Sequence, residues 1–288
     1  MGSNYSKMTS RQYYRSASFD YEVRGLLNYS LSCCVNAVLQ SFSATTELLD
    51  ILNKWHPSDG TDERNVPWQL RNALEFMRDK SHPAPHEDFL KCLYHQAIRP
   101  FTQHDADEIF HLILNLSQEQ MSDAAVAQEI RSLYEIKEGC INSFLQLQKL
   151  RDSEKFNCER CDEKQPSTHE VKLVSLPPIL CVHLKRFRNN GFTRKLFNKV
   201  TFPETFSNDI FAAGQSENAD GLKADECYSL YAVVVHIGPA MFGHYTAFIR
   251  PNQDRWYYAD DSCVQPSTWA KVQGTYGGAY RYGYVKHQ

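Results

Sequence analysis

Cys33 and Cys34 stand side by side ahead of Val35, Val38, Leu39 and Phe42, apolar residues that recur at helical spacing. A thiol in the first turn of such a helix faces unpaired backbone N–H groups and the positive end of the dipole, both of which favour the thiolate. Cys33 falls in that turn, with Ser32 or Ser30 as its N-cap. On spacing alone the pair reads first as two small hydrophobes, because free cysteine is among the most buried residue types. A thiol nucleophile also needs a general base, and the base needs an acceptor that fixes its tautomer. The stretch "FGHYTAFIRPNQDRWYYADDS" supplies both: His244 opens one strand pattern, and Asp260 and Asp261 close the next. Taken singly, these read equally as a half-buried strand histidine and an acidic turn.

Two further clusters carry chemical potential. In "QHDADEIFHLIL", Asp105 is placed to cap a helix with Glu108 closing a capping box, and the same acidic pair suits charge-assisted bonds to an arginine-bearing ligand. In "NCERC", Cys158 and Cys161 form one half of a tetrahedral zinc site. A second pair is missing and neither Cys140 nor His169 has ligand spacing, so no bound metal is expected.

The elements that must position these groups change character along the chain. From Gly25 to about Lys137 the signal is helical: Leu48 to Trp55, Val66 to Met77 and His104 to Leu116 each repeat apolar residues three or four apart. After about residue 170, "LVSLPPILCVHLKRF", "YSLYAVVVHIG", "HYTAFIR" and "RWYYAD" are short, rich in β-branched and aromatic residues, and bounded by turn formers. Helices first and strands later predict an α+β architecture with a cleft between the halves. The 288 residues, 42% of them apolar, suffice for a sizeable core, and a net charge of −3 without a basic block argues against a dedicated nucleic-acid binder. No stretch approaches the roughly 20 apolar residues of a membrane span. Nine scattered cysteines make a poor disulfide framework, and the expectation is an intracellular, cytoplasmic or also nuclear protein. Residues 1–24 are expected to be flexible; "MGSNYS" matches the pattern for acylating Gly2, with Ser6 in place, and matches a cloning remnant as well.

Taken in order, these pieces resemble the ubiquitin-specific protease family. Its Cys box, approximately G-L-x-N-L-G-N-T-C-Y-M-N-S-x-L-Q, is similar to "GLLNYSLSCCVNAVLQ" and sets the nucleophile at Cys33, not Cys34. Its Q-Q-D-A-x-E-F, L-P-x-x-L-x-x-x-L-K-R-F and G-H-Y…W-Y-x-F-D-D segments are similar to "QHDADEIF", "LPPILCVHLKRF" and "GHYTAFIRPNQDRWYYADD". The resemblance covers Gly25 to the C-terminus. It implies a papain-like fold with a helical thumb over about 25–137, shortened fingers over 138–170 and an antiparallel β palm over 171–288. It implies a cysteine isopeptidase without cofactor: Cys33 as nucleophile, His244 as base, Asp260 as its orienting acceptor, Asp261 as an assisting second acid and Asn28 as oxyanion donor. Asp105 and Glu108 correspond to acidic positions that meet arginines in a modifier tail ending Arg-Gly-Gly.

"RSLYEI", "TRKLFNKVTFP", "HIGPAMFGHY" and the double cysteine resemble an interferon-induced branch of the family. That branch implies removal of an interferon-stimulated modifier built from two ubiquitin folds, damping of interferon signalling, and partners in a type I interferon receptor subunit and a STAT-family transcription factor. Three departures stand out. Leu31 occupies a position the family often fills with Asn or Gln, where it would dry or crowd the thiol; Phe242 replaces a small or polar residue; and "RSLYEIK" adjoins "EGCINSFLQLQKL" without the family's first C-x-x-C. The rivals are a general deubiquitinase, a non-catalytic scaffold for signalling proteins and, remotely, a zinc-ribbon module.

Overall fold

The computed structural model describes residues 23–57, 63–79, 81–96, 98–135, 148–149, 157–158, 163–164, 168–169, 176–189, 193–207, 227–240, 242–275 and 279–287, with backbone alone for several strand residues. The first part is helical: α1 (Cys33–Ser43), α2 (Thr46–Lys54), α3 (Val66–Arg78), α4 (Glu87–Gln96), α5 (Ala106–Gln120) and α6 (Ala124–Tyr134). Short polar side chains start three of them. Asn65 accepts from Trp68 N–H, Asp105 from Asp107 N–H, and Asp123 from the N–H groups of Ala125 and Val126. The apolar stripes converge, so Leu39, Leu52, Leu70, Ile113 and Ile130 are fully buried in one cluster.

Strands follow. The pairs β1 (Gln148–Lys149) with β4 (Thr168–His169) and β2 (Asn157–Cys158) with β3 (Glu163–Lys164) are two-residue ladders; β6 (Phe187–Asn189) pairs with β7 (Thr193–Lys195). The main sheet is antiparallel and runs β12 (Cys263–Pro266), β11 (Tyr257–Asp260), β10 (His244–Ile249), β9 (Cys227–Ile237), β13 (Ala279–His287), β5 (Ile179–His183), with β8 (Thr205–Ser207) beside the first residues of β9. One face lies under the helices and the other under a second cluster that includes Phe202, Trp256 and Val272 of α7 (Trp269–Gln273). Burial on both faces explains why β9 reads as a continuous apolar run instead of an alternating one.

The β13–β9 register slips between Gly283 and Tyr284, so the pairing passes over Tyr231. Tyr231 and Ala232 consequently both join the helix-side cluster while Leu230 and Val233 face away. That bulge lets the Tyr231 hydroxyl meet Thr45 at 2.6 Å and ties the sheet to the end of α1. With α1 lying across β10 and β9, Cys33 in the first turn of the helix meets the backbone N–H of Tyr245, the second residue of β10.

The predicted helices and strands appear at the expected places, and several elements that were not singled out join them, among them α4, α6, α7, β12 and β13. Residues 1–22, including Gly2 and Ser6, lie outside the described residues, as do Cys140 and Cys161; Cys158 and His169 are described by backbone alone. Among the described residues no helix is long and apolar enough to cross a membrane.

Candidate active site

Cys33 is the first residue of α1, but the expected cap takes another form. Ser32 stands at the N-cap position without bonding a helix amide; its hydroxyl accepts from Tyr29 N–H at 2.9 Å. The first amides of the helix are therefore left to the thiol, and the N–H groups of Cys33, Cys34 and Tyr245 all favour the Cys33 thiolate. Burial outweighs them. At 3% exposure, and with Asp261 nearby, the thiol is pushed above its ordinary range, against the lowering expected of a helix N-terminus. Cys34 is pushed up to about 12, first by burial and then by Cys33, and is the inert member of the pair.

The Tyr245 N–H that faces the Cys33 thiol belongs to the residue after His244, so strand β10 delivers thiol partner and imidazole together. His244 Nε2 lies 2.6 Å from Asp260 Oδ1, the last residue of the neighbouring strand β11. A carboxylate only accepts, so Nε2 carries the proton and Nδ1 is left as the lone pair a general base requires.

Asp261 follows in the β11–β12 turn with φ 47°, a left-handed conformation that aspartate tolerates. Its Oδ2 accepts from Asn28 Nδ2 at 2.8 Å and its Oδ1 from Asn36 Nδ2 at 2.7 Å, while its carbonyl accepts from Leu26 N–H at 2.8 Å. Gly25 makes that approach possible, since a Cβ there would lie 2.2 Å from Ser262 O. Asn28 Oδ1 in turn accepts from Ser32 N–H at 3.0 Å. These partners fix the amide orientation: nitrogen toward the carboxylate, oxygen toward the N–H. Asn28 is exposed and its second N–H has no partner among the described residues, so a donor is left beside the thiol helix. The ligand atoms of His244, Asp260 and Asp261 lie within 4.8 Å of one another, but both Asp261 oxygens already serve amides.

The turn between β9 and β10 is pinned from below. Lys195, buried on β7, donates to His236 Nδ1 at 2.9 Å and to the carbonyls of His236 and Gly238. Burial lowers Lys195 to about 8, with Arg186 adding to it, and burial with Lys195 and His244 lowers His236 to about 4, so His236 is the neutral acceptor. Gly243 lies on that ring: a Cβ would come within 1.8 Å of His236 Nε2. Gln103 donates to Gly243 O and links the turn to the loop before α5. Phe242, 83% exposed, projects from the same turn.

Leu31 neither dries nor crowds the thiol, because it is half exposed, with φ 70°. Asp105 caps α5 through Asp107 N–H, and Glu108 is exposed on the first turn of that helix. Sequence patterns missed Asn36, Gln103, His236 and Lys195. Asn36 lies one helical turn after Cys33, and Gln103 opens the same acidic segment as Asp105.

A buried thiol with a raised pKa sets a pH dependence. The thiolate fraction rises about tenfold per pH unit below the pKa, and Cys33 is mainly the thiol at neutral pH. Inactivation of the free protein by iodoacetamide is expected to accelerate through pH 9 without levelling off between pH 7 and 8. A plateau near neutrality would show a thiolate already formed.

A model of the family described as ubiquitin carboxyl-terminal hydrolase matches residues 24–285. The chain is 31% identical over 303 residues to the Mus musculus protein named Ubl carboxyl-terminal hydrolase 18, covering 90% of this chain and 82% of that protein. It is 28% identical over 320 residues to the Homo sapiens protein of the same name, covering 96% and 86%. A solved structure of the SAGA Ubp8/Sgf11/Sus1/Sgf73 DUB module bound to ubiquitin aldehyde superposes with a TM-score of 0.70 at 18% identity, over 93% of this chain and 70% of that one. That likeness fixes the fold as the papain-like α+β fold of such enzymes. With nearly its whole length matched, the chain belongs to the ubiquitin carboxyl-terminal hydrolase family, as a divergent relative of the Ubl carboxyl-terminal hydrolases 18.

Proposed function

We propose that this cysteine hydrolase removes an interferon-stimulated, two-domain ubiquitin-like modifier from lysines of target proteins by cleaving after its C-terminal Gly-Gly, and so damps interferon signalling. The observation that carries the chemistry is the His244–Asp260 bond at 2.6 Å, on the strand whose next amide faces the Cys33 thiol. The preference for a ubiquitin-like modifier over ubiquitin is supported by the names of the Mus musculus and Homo sapiens relatives.

In the proposed reaction His244 Nδ1 takes the Cys33 proton, Sγ bonds to the terminal glycine carbonyl carbon, and the carbonyl π pair moves onto oxygen. The oxyanion is met by the free N–H of Asn28 and by the first amides of α1. As the C=O re-forms, the C–N bond breaks and His244 returns the proton to the leaving lysine amine. Water, deprotonated by His244, then opens the thioester and restores the thiol. Asp260 holds the imidazole, Asp261 holds Asn28, and the acidic groups of Asp105 and Glu108 attract the arginine of the modifier tail. Receptor and STAT partners belong to the same proposal, on the strength of the interferon-branch resemblance.

The test is intact mass after incubation with ubiquitin and, in parallel, with the two-domain modifier, each carrying a thiol-reactive group in place of its C-terminal carboxylate. An adduct on Cys33 with the two-domain probe alone is expected. Adducts with both probes, or with ubiquitin alone, turn the reading to a general deubiquitinase. No adduct from folded protein turns it to the scaffold, which the buried, protonated resting thiol favours.

A further inference from the structure

The neighbours of Asn28 in the chain, Leu27 and Tyr29, are both held by their carbonyls from α4 and the residue before it. His86 Nε2 lies 3.0 Å from Leu27 O, and the Tyr94 hydroxyl donates to Tyr29 O at 3.0 Å. His86 is fully buried, with its ring 5.5 Å from that of Tyr29. A carbonyl only accepts, so Nε2 carries the proton and Nδ1 is a bare lone pair. That lone pair is buried without a partner among the described residues. Burial lowers the pKa of the ring against the pull of Leu27 O, Asp261 and Glu87, with Arg24 acting in the same sense as burial, so it is a neutral donor.

A half-satisfied imidazole is a poor choice for packing alone, since an apolar ring would fill the space without an orphaned acceptor. What His86 adds is one hydrogen bond aimed at the peptide ahead of Asn28. The need for it is local. Ser30 at φ 57° and Leu31 at φ 70° are left-handed without being glycine, and such conformations persist only where the surroundings over-determine them. Phe101 N–H on Ser30 O at 3.1 Å, Tyr94 on Tyr29 O and His86 on Leu27 O clamp the loop on both sides of Asn28, at positions 27, 29 and 30. Phe89, Leu90 and Leu93 anchor α4 in the core, so two of the three clamps come from one rigid piece.

We propose that His86, assisted by Tyr94, is a positioning residue that holds the Asn28 amide where it can donate to the oxyanion. The proposal rests on the reading of Asn28 as that donor.

The test is kcat and KM for hydrolysis of a fluorogenic C-terminal amide of whichever modifier the enzyme turns over. It compares His86→Phe, His86→Gln, Tyr94→Phe, Asn28→Ala and the Asn28→Ala double variants. His86→Phe keeps the ring and loses the donor; kcat is expected to fall about 10- to 100-fold, as for an angstrom-scale misplacement, with KM almost unchanged. His86→Gln, whose amide nitrogen reaches the place of Nε2, recovers most of that loss. In the Asn28→Ala background His86→Phe costs nothing further, because the group it positions is gone. A His86→Phe enzyme at full speed, or a loss that adds to that of Asn28→Ala, overturns the proposal. Should His86→Phe fail to fold, Tyr94→Phe, which deletes one hydroxyl, decides by the same non-additivity. If Asn28→Ala itself leaves kcat unchanged, the donor reading fails and takes the proposal with it, a pattern distinct from a slow Asn28→Ala beside a fast His86→Phe.

Discussion

Cys33→Ala is expected to reduce turnover below about one part in 10⁴ of the wild-type rate, the scale of loss when a covalent nucleophile is deleted. Cys34→Ala should stay within about threefold of wild type, since it removes no group that meets the reacting atoms. Adjacent residues of the same type rarely differ so much, and the structure gives the reason. Cys33 opens α1, with three backbone N–H groups turned to its sulfur and the start of β10 beside it. Cys34 is 1% exposed and is held as a thiol by a pKa near 12. Its loss leaves a methyl-sized void whose cost falls on stability and not on rate. Steady-state hydrolysis of the two purified variants, with thermal melts to show that both are folded, checks the contrast. The opposite pattern would sink the alignment of the site on Cys33.

Asn28→Ala is expected to lower kcat about 100- to 1,000-fold, the usual effect of deleting one oxyanion donor. KM should change little, because the donor acts on charge that develops only in the transition state. Asn28 is exposed, so its removal opens no cavity; it does release Asp261 Oδ2 and Ser32 N–H. Single-turnover measurement of acylation and of thioester hydrolysis should show both steps slowed, since each passes through an oxyanion. An unchanged rate would mean that the amides of α1 suffice alone.

Much of this architecture is legible in the chain. Helical periodicity located α2, α3 and α5 to within a few residues, because each carries one apolar stripe against a single core. The strands carrying His244 and Asp260 were legible from their β-branched and aromatic runs between turn formers. What escaped were contacts without spacing. Asn36 reaching Asp261, Lys195 under His236 and Gln103 on Gly243 O join residues tens to hundreds of positions apart through backbone carbonyls or lone side chains. Such partners are chosen by the fold, and a pattern search has nothing periodic to find. The Cys33 thiol was misjudged for a related reason: the helix terminus is visible in sequence, whereas the burial that overrides it depends on the strand laid across it. Leu31 was misjudged because a backbone turned to φ 70° points the side chain outward.

The Asp261 carboxylate, divided between Asn28 and Asn36, has a pharmacological consequence. It is the seam at which the sheet holds the loop ahead of α1, and the loop is also held from the helical side. A small molecule wedged at that seam would shift the Asn28 amide, the proposed oxyanion donor, relative to the thiol while leaving Cys33, His244 and Asp260 intact. In the proposed reaction its effect would be a loss of kcat, the quantity on which that amide acts.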